Sequence, residues 1–115
     1  MTEEKDVFAQ IIDRELPADI VFENERIIVI KNIHPKAPVH LLGITKEPYA
    51  NLHELLQSGN HQELLWELFH TLSDLAIQLG IAETGYKLSA NNGPDAGQTI
   101  FHLHVHLVGG TQMEE

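Results

Sequence analysis

"IFHLHVHLVGG", residues 100–110, sets His102, His104 and His106 at alternate positions, with Leu103, Val105 and Leu107 between them. Period-two alternation marks a β-strand with two unlike faces, so "TIFHLHVHLV" is expected as one strand. Its leucines and valine meet a core, and its three imidazoles share the opposite face. An imidazole nitrogen buried without a partner costs about 1–3 kcal/mol, so three in a row must answer to something.

Three purposes fit the residues. One is a polar, solvent-facing strand side. A second is a zinc site, imidazole being a common ligand, but alternate strand positions stand about 6.5–7 Å apart. Two such histidines reach one ion, a third is awkward, and His40, His34 or a carboxylate would have to complete the set. The third is nucleophilic and acid–base chemistry at phosphorus, in which one ring nitrogen attacks while the other is held protonated, commonly by a backbone carbonyl. An ordinary imidazole pKa of about 6.5 lets neighbouring rings exchange protons near neutrality.

The preceding "NNGPDAGQT", residues 91–99, adds a loop in which Gly93 and Gly97 permit positive φ and close backbone approach, while Gln98 and Thr99 offer side-chain donors. Alone such a loop is a turn; beside three alternating histidines it is a candidate phosphate cradle.

Outward from this stretch, "GYKLSA" reads as a strand, and "HQELLWELFHTLSDLAIQLG" repeats leucines at helical spacing until Gly80 stops it. "VHLLGITK" is a strand on which His40, Leu42 and Ile44 share a face, after the rigid loop "HPKAP". "DIVFENERIIVIKNI" suggests a hairpin about "ENE", and "DVFAQIIDREL" a short helix capped by Asp6 and ended by Pro17. The expected fold is α+β: an antiparallel sheet with a short N-terminal helix and one long helix, both on one face.

Composition bounds the rest. The 115 residues suit one domain, 1–115, and 43% hydrophobic with 21% charged residues is the balance of an ordinary globule. A net charge of −10 with scattered lysines and arginines opposes nucleic-acid binding, while a small anion can still be held by local donors. The chain has no cysteine, hence no disulfide, thiolate nucleophile or cysteine-based zinc site. The acidic, amphipathic start is unlike a signal peptide and no long apolar run suggests a membrane, so the expected location is cytoplasmic.

With "GQT" before it and "PVHLLGITK" upstream, "HLHVHLVGG" resembles the histidine triad (HIT) superfamily, most of all its nucleotide-binding purine nucleoside phosphoramidase (HINT-type) branch. The resemblance runs from "IIDRELPADIVFENE" through "NIHPKAPVHLLGITK" to "GGTQM". It implies a homodimer whose subunits pair into one continuous sheet, and hydrolysis of adenosine 5'-phosphoramidates without cofactor or metal. It implies His104 as the nucleophile forming a nucleotidyl-histidine, with the His102 carbonyl holding the His104 tautomer. His106 would touch the phosphate, His40 would join the proton network, and Thr99 would stand near the leaving amine. Asn91, Gly97 and Gln98 would line the phosphate subsite, and Val7, Phe8, Ile11, Ile30, Ile33 and Leu42 the purine pocket, with Asn32 at the ribose.

Three departures stand out. Asn32 replaces the family's ribose-binding aspartate, Thr99 replaces its serine, and "TQMEE" lacks the longer tail that in this branch reaches the partner subunit. Threonine in "GPDAGQT" also resembles the dinucleoside polyphosphate hydrolases of the superfamily, an alternative activity; a nucleotide-binding or interaction module with little catalysis is another. His34, His53, His61 and His70 are expected to be structural or solvated, with His61 in the first turn of the long helix, and Trp66 and Phe69 to be core or dimer-contact residues.

Overall fold

A computed structural model describes residues 5–114. Helix α1 spans Val7–Ile12, strands β1, β2 and β3 span Ile20–Glu23, Ile27–Lys31 and Val39–Thr45, and helices α2 and α3 span Leu52–Gln57 and Gln62–Gln78. Strands β4 and β5 span Tyr86–Ser89 and His104–Gly109, with a 3-10 turn at Pro94–Ala96 between them. The sheet is antiparallel throughout, in the order β1-β2-β3-β5-β4. The long crossover through α2 and α3 carries the chain past the place beside β3, and β5 returns to fill it.

Local chemistry explains most boundaries. Asn24 closes the β1–β2 hairpin by accepting from the Arg26 and Ile27 N–H groups. Asp6 caps α1 through the Ala9 N–H at 2.8 Å, but α1 ends at Ile12, well before Pro17, where Arg14 takes a left-handed φ of 64°. The long helix stops as expected, with Gly80 at φ 77° behind its last turn. Its start differs: His61 is the left-handed residue ahead of the first turn, without a side-chain cap.

The sheet is covered on both faces, contrary to the expectation of helices on one. On one side Leu64, Leu68, Leu72 and Leu75 of α3 pack over Ile27, Val29, Leu41, Val105 and Leu107. On the other, Phe8 and Ile11 of α1 pack over Ile28, Ile30, Leu42 and Ile44. Two-sided burial is why "IIVI" of β2 is apolar at every position. Each buried leucine or isoleucine contributes about 1.5–3 kcal/mol of transfer free energy. Over β3 the helix comes so close that a Cβ on Gly43 would stand 3.0 Å from both Leu72 methyls. Trp66 is outside this core, 69% exposed, whereas Phe69 packs against it.

Candidate active site

Register builds the site. On β3 and β5, Ile44 faces His104, Leu42 faces His106 and His40 faces Val108, which puts two of the three triad rings and His40 on the α1 side of the sheet. Val105 and Leu107 point the other way, into the α3 core.

His102 departs from the expected strand. Pairing with β3 ends at Ile44–His104, and just before it the Leu103 N–H turns aside to the Tyr49 carbonyl at 2.7 Å. The His102 ring, 1% exposed, is buried beneath α1 instead of lying on the open face. Its Nε2 lies 2.7 Å from the Thr45 carbonyl oxygen and its Nδ1 3.0 Å from Asp6 Oδ2. Both nitrogens are therefore engaged by oxygens of the protein itself. With both nitrogens held by the protein, His102 is not placed to complete a three-histidine metal set.

The remaining rings are ordered by hydrogen bonds. His104 Nδ1 sits 2.7 Å from the His102 carbonyl, which can only accept, so the proton is on Nδ1 and the lone pair on Nε2. Lys36 N–H donates to His40 Nδ1 at 3.1 Å, leaving the His40 proton on Nε2, where it is donated to His106 Nδ1 at 2.9 Å. Asn32 Nδ2 is 3.2 Å from that same His40 nitrogen, while its Oδ1 accepts from His34 N–H. The His106 proton is consequently on Nε2. Among the described residues, every buried side-chain nitrogen and oxygen has a partner.

Burial keeps these imidazoles neutral. It pushes His104 below the ordinary value, partly opposed by the hydrogen bond to the His102 carbonyl. His106 is pushed down to about 4, first by burial and then by the charge that His104 and His40 carry once protonated and by that of Lys36. Burial and then Lys36 lower His40 as well. Near neutrality His104 Nε2 is thus an unprotonated nitrogen.

The loop before β5 is built differently from expectation at Gln98. Gly93 and Gly97 do take positive φ, 89° and 87°. Gln98, however, is buried, its Oε1 accepting from Gly93 N–H and its Nε2 donating to the Ala50 and Ile100 carbonyls. Its own N–H goes to the Gly93 carbonyl, so Gln98 braces the loop instead of offering free donors. Helix α2, which carries no strong periodic signal in its six residues, anchors the same loop through His53 N–H and Asn92 Oδ1 at 2.9 Å. Thr99 is exposed, and Asn91 lines a cavity with His106.

Of the apolar residues assigned to a purine, Phe8, Ile11, Ile30 and Leu42 form one buried cluster with Ile28 and Ile44. The Phe8 ring meets His104 edge-on at 4.9 Å between centroids. Val7 and Ile33 are not brought into that cluster; they are 44% and 84% exposed.

Asp6 is the residue that sequence reading left as a mere helix cap. One carboxylate oxygen caps α1 while the other meets His102, so the helix carrying Phe8 is tied to the triad. The usable signal was the count of imidazole nitrogens: a buried ring needs two partners, and a cap has a second oxygen to give. Lys36 was likewise missed, since its role begins with a backbone N–H in a proline-rich loop.

A histidine triad at the end of a five-stranded antiparallel sheet, with one imidazole freed by a backbone carbonyl, defines a class before any comparison. The HIT domain family matches residues 13–113, and the chain belongs to it. It is 46% identical over 110 residues to an uncharacterized HIT-like protein of Synechococcus elongatus, covering 96% of this chain and 94% of that one. It is 36% identical over 107 residues to the purine nucleoside phosphoramidase of Escherichia coli K12, covering 93% and 88%. Its structure resembles a HIT family hydrolase from Clostridium thermocellum with a TM-score of 0.90 and 49% identity, covering 99% and 97% of the two chains.

Proposed function

We propose that this chain hydrolyses purine nucleoside 5'-phosphoramidates, adenosine phosphoramidates above all, at the α-phosphorus. His104 Nε2 donates its lone pair to phosphorus as the bond to the leaving amine breaks, and the amine departs with a proton drawn from solvent through the exposed Thr99 hydroxyl. Water then attacks the nucleotidyl-histidine and gives up a proton to solvent, the P–Nε2 bond returns its electron pair to His104, and nucleoside monophosphate is released. The observation that carries the reading is the 2.7 Å contact of His104 Nδ1 with the His102 carbonyl, which leaves Nε2 unprotonated and free.

His106 Nε2–H faces the phosphate in this reading, and His40 supplies the proton held at His106 Nδ1. Asn91 and the Gly97 backbone line the phosphate subsite. Phe8, Ile11, Ile30 and Leu42 receive the purine, with Val7 and Ile33 closing on it from their exposed positions and Asn32 binding the ribose. The whole chain acts as one HIT domain in a cytoplasmic homodimer, in which two sheets join at an edge; among the described residues β4 is an edge strand of the sheet, which supports such pairing.

The test follows covalent adenylation and turnover of a fluorogenic adenosine phosphoramidate, wild type beside His104→Ala. Turnover falls by several orders of magnitude and the adduct is lost. Near-normal turnover of His104→Ala would overturn the assignment.

A further inference from the structure

The sheet register extends the triad face onto β4. Lys87 stands opposite Val108 and Ser89 opposite His106, so one row across three strands reads Lys87, Val108, His40 and the next reads Ser89, His106, Leu42. Lys36, whose N–H holds His40, comes over the same end from the β2–β3 loop. Between them lies a cavity of about 380 Å³ lined by Lys36, Lys87, Ser89, Asn91, His40 and His106, with apolar wall from Val108 and Met113.

The charge of this cavity is opposite to that of the molecule. The chain has 17 acidic and 7 basic residues, yet two lysines line the cavity and none of its lining residues is acidic. Lys87 Nζ gives one hydrogen bond to the Glu114 main-chain carbonyl at 2.7 Å and keeps further protons to donate. The Lys36 charge is felt at both His40 and His106, which it pushes toward their neutral forms. Among the described residues neither lysine forms an ion pair, and two such lysines in a molecule of net charge −10 favour a small anion at this place.

We propose that Lys36 and Lys87, with Ser89, form a subsite beyond His106 for a leaving group that carries its own negative charge. The chemistry recognised is a compact oxyanion, carboxylate, sulfate or phosphate, attached one to three bonds from the atom that leaves phosphorus. An amino acid joined through its nitrogen presents such a carboxylate; a simple alkylamine leaves the lysines unused. The inference rests on the hydrolytic reading above and deepens it by naming the substrate class.

The test compares, at pH 8, an adenosine phosphoramidate of alanine with the same compound bearing a carboxamide in place of the carboxylate. The wild type turns over the carboxylate with the higher kcat/KM. In Lys36→Gln/Lys87→Gln the carboxylate-to-carboxamide ratio falls about tenfold, and Lys87→Glu lowers it further. Both rates come from one sample, so any misfolded fraction cancels from the ratio. Running adenylyl sulfate and α,β-methylene adenosine diphosphate, the latter by calorimetric binding, ranks sulfate and phosphate against carboxylate by the loss each suffers in the double variant. An unchanged ratio in the variants, or no preference in the wild type, overturns the subsite while hydrolysis stands. If neither phosphoramidate is turned over and adenosine monophosphate does not bind, the hydrolytic reading itself fails and the subsite falls with it.

Discussion

Asp6 Oδ2 lies 3.0 Å from Nδ1 of His102, a ring buried almost completely, while Asp6 Oδ1 caps the helix that carries Phe8. One carboxylate thus fastens α1 to the segment whose carbonyl orients His104. Asp6→Ala removes a cap worth about 1 kcal/mol and strands an imidazole nitrogen worth about 1–3 kcal/mol, so urea denaturation is expected to show a loss of about 2–4 kcal/mol. Asp6→Asn keeps the cap and loses less. Equal losses for the two variants would mean that the cap contributes nothing, and an Asp6→Asn variant as stable as wild type would mean that the His102 contact contributes nothing.

The hydrogen bonds require different tautomers in adjacent rings. Nitrogen-15 NMR at pH 8 is expected to show the proton on Nδ1 in His104 and on Nε2 in His40 and His106. A His104 signal with its proton on Nε2 would remove the nucleophile from the mechanism.

Acid should weaken the fold through the same rings. In the unfolded chain an imidazole takes up its proton near pH 6.5, whereas His106 in the folded chain waits until about pH 4 and His104 and His40 also titrate below the ordinary value. Between these values the unfolded state binds more protons, so stability is full above pH 6.5 and declines as the pH falls toward 4. Melting temperatures measured across this window should fall less steeply for His106→Gln than for wild type.

Gly43 is a packing device. Alanine there would press its methyl 3.0 Å from Leu72 and 3.1 Å from Leu68 beneath α3. Gly43→Ala is expected to cost about 1–3 kcal/mol by overpacking, read from denaturant midpoints. An unchanged midpoint would mean that α3 shifts without penalty.

Asn32 presents its amide nitrogen to His40 Nε2, a nitrogen that itself carries a proton. Asn32→Asp replaces this donor-to-donor approach with an acceptor and adds charge for ribose hydroxyls. Adenosine monophosphate is expected to bind more tightly, and calorimetry showing equal or weaker binding would count against Asn32 as the ribose contact.

Much of this molecule is written locally. The alternation of His104, Val105, His106 and Leu107 determined a strand with two faces, the leucine spacing of α3 determined its long apolar stripe, and Asp6 and Gly80 marked helix ends. These are near-neighbour properties, set by the period of the backbone and by hydrogen bonds within a few residues. The tertiary structure alone decided which strand lies beside which. Only the insertion of β5 between β3 and β4 brings His106 to His40 across 66 residues and sets Ser89 beside it. Only long-range contacts, the Leu103 N–H to the Tyr49 carbonyl and the His102 ring to Thr45 and Asp6, hold His102 off the strand and buried beside α1. Such choices come from long-range burial and pairing, whose partners leave no local period in the chain.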